Sequence, residues 1–268
     1  MKNFVLISTI ILLNSFCFSQ NYSHLKFSAP LINNPALTGL QNNKEMNLRF
    51  SHFYGYNALY IDYNQKTEKL HGGIGIYVNN GRFEIGKFNF NNIGLSYAYY
   101  KKINNKWNYA LGSSIEFNAV SNNNKLDKIL NVNLNIGGLV FTDHFFTSLT
   151  ANNINAKYAF YNLGFGYKFS PFSNKDINFT PSINFILQQK TISTNLSLVT
   201  KYRNLKVGVD YSHHKIGTSL GYNFKKFTLN YNYGNINTFA TKYNSHEFSL
   251  KFKLNNNSNH LKFNPNLF

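Results

Sequence analysis

The sequence predicts an all-β fold, a transmembrane outer-membrane antiparallel β-barrel of about 14 strands with periplasmic N- and C-termini. Three observations predict it. Large apolar residues alternate with small or polar ones at period two from Met46 to Leu254. The chain opens with an export signal, and the connections between its alternating runs are short and long by turns.

The alternation is clearest near the end. Ile216, Thr218, Leu220, Tyr222 and Phe224 fall on one face, and Lys215, Gly217, Ser219, Gly221 and Asn223 on the other. Phe227, Leu229, Tyr231 and Tyr233, then Phe248, Leu250, Phe252 and Leu254, repeat the pattern. Successive strand side chains point to opposite faces, so each run writes one apolar face and one small, wet face. Strands of about ten residues with that pattern suit a closed wall with lipid outside and water inside. A mean hydropathy of −0.32 fits, because polar lumen residues cancel lipid-facing ones.

Residues 1–19 read as a signal peptide. Lys2 precedes an apolar run from Phe4 to Leu13, and Cys17-Phe18-Ser19 places small residues at the two positions a signal peptidase reads. Gln20 is then the first mature residue. Cys17 is the single cysteine, so the mature chain is expected to hold no disulfide and no thiolate metal site. Residues 20–45 carry Pro30 and Pro35 and read as a non-strand periplasmic or plug segment that folds into the lumen or covers its mouth. In that segment Asn34-Pro35-Ala36 reads as a turn, with Gly39 free to take a left-handed position.

The barrel is expected over 46–254. Its strands lie near 46–54, 57–65, 71–78, 91–103, 106–119, 131–141, 145–152, 157–169, 177–189, 192–202, 204–212, 215–224, 226–234 and 245–254. With a periplasmic start, the tight connections Asn104-Asn105, Asp143-His144, Arg203-Asn204 and Lys225 fall on the periplasmic side. The long ones, Asn79–Phe90, Val120–Leu130 and Asn235–Asn244, fall outside. Residues 255–268 read as an Asn-rich tail.

Twenty-seven Lys and Arg against ten Asp and Glu give a net charge of +17. The charges are spread through turns and wet faces without a nucleic-acid motif. They point to anionic lipid head groups of the outer membrane or an acidic protein partner, and no nucleic acid is expected. Partner binding is expected at the outward loops, on Arg82, Phe83 and Phe88 in one and Phe239, Lys242 and Tyr243 in the other. Aromatic and basic side chains bury area and still make directed bonds. No catalytic, metal or cofactor site is expected. Asp210 with His213-His214 is the nearest approach to a catalytic group, but adjacent histidines in a turn point apart. Gly72-Gly73-x-Gly75 continues a strand pattern with no helix after it, so it reads as small lumen-facing residues or close backbone packing, not a phosphate loop.

Gln20-Asn21-Tyr22-Ser23, Asn33-Asn34-Pro35-Ala36-Leu37-Thr38-Gly39 and Asn47-Leu48-Arg49-Phe50 together resemble the PorP/SprF family of the Bacteroidetes type IX secretion system. That family opens its mature chain with Gln, continues with an Asn-Pro-Ala-x-x-Gly element, and places Arg on its first strand. The hairpin around Asp143, Gly137 to Phe146, and the closing His246-Glu247-Phe248-Ser249-Leu250 are similar to the family as well. Ser51-His52 stands where the family often has Gln-Trp. The resemblance implies a non-enzymatic outer-membrane component of type IX secretion and gliding. It would bind the C-terminal domain of a secreted adhesin, or translocon or periplasmic subunits. The alternative is a FadL-like or porin-like solute-transport barrel.

Overall fold

The structure, a computed structural model, describes residues 30–40, 44–53, 55–84, 88–122, 125–156, 159–171, 176–212, 215–237 and 242–254. The expected signal peptide, the start at Gln20 and the tail 255–268 lie outside them.

Fourteen strands form one closed barrel. They are β1 Lys44–Phe53, β2 Tyr56–Thr67, β3 Gly72–Phe83, β4 Phe88–Lys102, β5 Asn108–Asn122, β6 Lys125–Phe141 and β7 Phe145–Asn152. The other seven are β8 Phe160–Tyr167, β9 Ile177–Gln188, β10 Thr191–Tyr202, β11 Leu205–Ser212, β12 Lys215–Asn223, β13 Phe227–Asn237 and β14 Lys242–Lys253. Each pairs antiparallel with its neighbours in sequence, and β1 closes on β14 from Glu45↔Lys253 to Phe53↔Ser245. Closure satisfies every ladder it completes, which a wall standing in lipid requires.

The predicted alternation is the observed one. In β3, Ile74, Ile76 and Val78 point out and are exposed, while Gly73, Gly75, Tyr77 and Asn79 point in. In β10, Leu196 and Leu198 point out, and Ser193, Asn195 and Ser197 are buried. Polarity is thus inverted relative to a soluble core, with Ser, Thr and Asn inside and Leu, Ile, Val and Phe outside. Aromatic side chains gather at one end of the wall. Trp107 meets Phe145 edge-on at 6.1 Å, Tyr167, Phe169 and Phe179 stack in series, and Phe224 stacks on Phe227 at 4.3 Å. Such belts mark a membrane–water boundary.

The same end holds an apolar core. A short helix, α1 (Pro30–Asn33), and a 3-10 turn (Pro35–Leu37) lie inside the barrel. Leu37 and Leu40 belong to a buried cluster with Ala98, Tyr100, Ala110, Leu139, Phe141 and Phe146, and Leu31 packs with Tyr60 and Tyr77. Residues 30–40 therefore pack inside the barrel against the β2–β7 half of the wall; residues 20–29 and 41–43 of the expected segment lie outside the described residues, and 44–45 open β1.

The wall is stepped, and here the expected loops are corrected. The segments 79–90, 120–130 and 235–244 are mostly strand: β3 and β4 run to a connection of 84–87, β5 and β6 to 123–124, and β13 and β14 to 238–241. Loop length therefore does not sort by parity, and the longest connections, 153–159 and 168–176, lie at opposite ends. Asn disfavours strands in isolation, but cross-strand partners override that preference. Asn80 hydrogen-bonds Asn91 across β3 and β4, and Phe83 pairs with Phe88. β7 and β8 have 8 residues each, while β6 has 17. Eight residues rise about 26 Å, close to the roughly 25 Å apolar band of such barrels, so β6 overshoots its neighbour.

Candidate functional site

The plug is held by a clasp built from Asn34 to Leu40. Asn34 is extended (φ −152°), and its side-chain oxygen accepts the Ala36 amide at 2.9 Å. This caps the 3-10 turn whose first position Pro35 fills, where the fixed φ suits and no amide is needed. The Leu37 amide donates to Asn34 O at 3.0 Å and the Thr38 amide to Pro35 O at 3.2 Å. Gly39 takes φ +68°, and its amide donates to Asn64 Oδ1 of β2 at 3.2 Å. The Asn-Pro-Ala-x-x-Gly element is thus a turn, as read from sequence, and also the piece that fixes the plug.

The wall receives the clasp through glycine. A Cβ at Gly112 would overlap the Ala36 amide and the Pro35 carbonyl, one at Gly137 the Asn34 side chain, and one at Gly73 the Thr38 carbonyl. The Thr38 hydroxyl lies 2.7 Å from Pro35 O and 3.0 Å from Ser96 Oγ. Gly73 and Gly75 are accordingly a close-approach surface for the plug, whereas a Cβ at Gly72 would meet Ala98 of β4.

A charged network stitches the barrel seam beside the clasp. Arg49 of β1 lies 3.7 Å from Glu247 of β14, with its guanidinium 5.0 Å over the Tyr60 ring. Lys251 Nζ is 3.4 Å from Glu45 Oε1. Asn47 Nδ2 donates to both Asp62 oxygens at 2.8 and 2.9 Å, and Asn64 Nδ2 reaches Glu45 and Asp62 at 3.2 Å each. Asn232 Nδ2 donates to Glu247 at 2.8 Å. Asn64 therefore touches both the seam and Gly39 of the plug. Sequence reasoning noted Arg49 as a family feature, and missed Glu45, Asp62 and Glu247 as partners in this network. The available signal was that acids and bases sit on the wet faces of the first and last strands, which closure must make neighbours.

The expected loop residues sit differently. Phe83 and Phe88 are strand residues continuing the inward register of Gly81 and Gly94, so with Tyr56 and Phe90 they form an aromatic cluster at the lumen mouth opposite the plug. Tyr56 lies 4.6 Å from Phe83 and stacks on Phe90 at 5.5 Å. Phe83 and Phe88 remain 40% and 43% exposed. Arg82 takes the opposite, outward register and is exposed. Lys242 and Tyr243 begin β14 opposite Asn237 and Ile236, in a strand and not a loop, with side chains outside the described set. Phe239 lies outside the described residues.

Asp210 points into the lumen, where Ser197 Oγ donates to it at 2.5 Å, and His213-His214 lie outside the described residues. No group of three or more His, Cys, Asp or Glu able to hold a metal occurs among the described residues. On the outer wall, Leu95, Tyr97, Ile115, Leu134, Ile136 and Ile154, with Ser113, border an open, mainly apolar hollow of about 430 Å³.

Comparison with known proteins places this geometry. The sequence model of a family described as "Type IX secretion system membrane protein PorP/SprF" matches residues 18–252. No curated protein matches the chain. Among solved structures, it is similar to the Acinetobacter baumannii outer membrane protein Omp33, at 7% identity and TM-score 0.56 over 81% of this chain and 100% of that one. The Pseudomonas putida toluene transporter TodX gives 9% and 0.54, over 89% and 94%. The Ralstonia pickettii toluene transporter TbuX gives 7% and 0.54, over 85% and 94%. At these identities the likeness is one of fold, that of outer-membrane barrels.

Proposed function

The chain belongs to the PorP/SprF family of type IX secretion system membrane proteins, and from that premise we propose that it is a non-enzymatic outer-membrane platform that binds a protein of that system. The partner is the C-terminal domain of a secreted adhesin, or a translocon or periplasmic subunit. The family match over residues 18–252 carries the proposal. The interior supports it: the residues that converge most tightly inside the barrel, Asn34 to Leu40 and the Arg49–Glu247 seam, hold the plug and close the wall.

In this reading the plug end faces the periplasm, because an exported chain whose first described segment enters the lumen starts on that side. The aromatic mouth and the overshooting strands β3–β6 then face outward. A rigid wall presents its strand ends to partners, and Phe83, Phe88 and Arg82 offer the aromatic and guanidinium groups that anchor protein contacts.

A mild-detergent pull-down of the native barrel, followed by mass spectrometry, tests the proposal. Recovery of a type IX subunit or a secreted C-terminal domain is expected. Recovery of neither contradicts it and favours the solute-transport alternative.

A further inference from the structure

The step in the wall leaves a strand edge unpaired. β5 pairs with β6 from Asn122↔Lys125 to Asn108↔Phe141, but β7 pairs with β6 only from Ile136↔Ala151 to Phe141↔Phe146. Residues 125–135 of β6 therefore have no strand beside them on the β7 side among the described residues. The connection after β7 covers the lower part of this edge in the manner of a short strand. The Ile154 amide donates to Leu134 O at 3.0 Å, Asn155 Oδ1 accepts the Leu134 amide at 2.8 Å, and Asn155 Nδ2 donates to Val132 O at 2.5 Å. That cover ends at Val132.

Backbone groups alternate in direction along an antiparallel strand. Since Leu134 directs its amide and carbonyl to the β7 side, so do Lys128 and Leu130, together with the Val132 amide. Among the described residues these groups form an open row beyond the end of β7. The register shift at Ser121/Asn122 interrupts pairing only nearer the tip. Side chains on the edge alternate as an added strand needs. Leu130, Val132 and Leu134 point out with 76%, 44% and 40% exposure, and Asn131, Asn133 and Asn135 point in.

We infer that the free edge of β6 over Lys128–Val132 is a strand-addition site for an extended segment of a partner protein with alternate apolar residues and acidic flanks. The row of unpaired amides and carbonyls supplies main-chain bonds, and Leu130 with Val132 supplies an apolar face for register. The acidic character follows from charge. The segment carries Lys125 and Lys128 against Asp127, in a chain of net charge +17. A second copy would bring the same basic excess, so the charge favours an acidic foreign strand. The inference rests on the reading that the barrel serves a protein partner, and it specifies the form that partner takes.

The test uses the full-length barrel in detergent micelles and a short synthetic peptide of alternating Val and Thr flanked by Asp. Its controls are a Lys-flanked version and a version N-methylated along one edge. Leu130→Pro and Val132→Pro each remove an amide that points away from β5, so β5–β6 pairing and thermal stability stay near wild type. The Asp-flanked peptide is expected to bind and slow exchange of the Leu130 and Val132 amides, with each Pro variant weakening it about tenfold or more. The N-methylated and Lys-flanked peptides are expected to bind at least about tenfold more weakly. No binding by wild type, equal binding by both Pro variants, or equal binding of the Lys-flanked peptide overturns the inference. So does a wild-type dimer abolished by Leu130→Pro, which assigns the edge to a second copy. Because the peptide contains no type IX component, failure here is separable from failure of the pull-down.

Discussion

Gly112 and Gly138 are one strand apart and face opposite sides of the wall. A Cβ on Gly112 meets the plug backbone, whereas one on Gly138 meets only Leu111 Cδ2 at 3.6 Å. Gly112→Ala is expected to destabilise the barrel by roughly 1–3 kcal/mol through overpacking against Ala36, and Gly138→Ala to stay within about 0.5 kcal/mol. Urea unfolding in micelles checks both, and equal effects would contradict the clasp. Glu247 is the other sharp case. Its pair with Arg49 leaves the two side chains 5% and 3% exposed. Removing the carboxylate strips Arg49 of this partner and Asn232 of its acceptor. Glu247→Ala is expected to cost about 3 kcal/mol in the same assay, and the double variant Arg49→Met/Glu247→Leu less than the sum of its two single changes. At this scale Asn34, Pro35 and Gly39 were legible, because a proline turn and a positive-φ glycine write themselves into sequence. The glycines that receive them were legible only as small, close-packed positions. Which backbone approaches Gly112 depends on strands brought together by closure, and period two does not encode that.

The strands themselves were readable throughout. Each of the fourteen falls where alternation put it, and β7, Phe145–Asn152, matches to the residue. The larger misses lie at the far ends of β3–β6, β13 and β14, where Asn-rich runs read as loop, and β8, expected over 157–169, spans only Phe160–Tyr167. Asn79, Asn80 and Asn89 are paired strand residues because their neighbours in the ladder hold them there. The partner-site expectation moved with those boundaries, so that Phe83 and Phe88 line a mouth instead of hanging from a loop. The free edge of β6 could not be read from sequence. It arises from the mismatch between an 8-residue β7 and a 17-residue β6 whose outer residues were taken for a connection.

The whole molecule combines a closed wall, an apolar plug and a charged seam, with the polar residues of a membrane barrel turned inward. The fold and the family were legible at this scale because the alternation and the Asn-Pro-Ala region each survive without knowledge of contacts. The central claim is that the barrel is a plugged platform for a protein partner and not a conduit for solute. Single-channel conductance in planar bilayers, comparing the wild type with a variant lacking residues 20–43, tests it most directly. A low conductance that rises sharply on removal of the segment is the predicted result. A wild-type barrel that already conducts freely, unchanged by the deletion, would contradict the account.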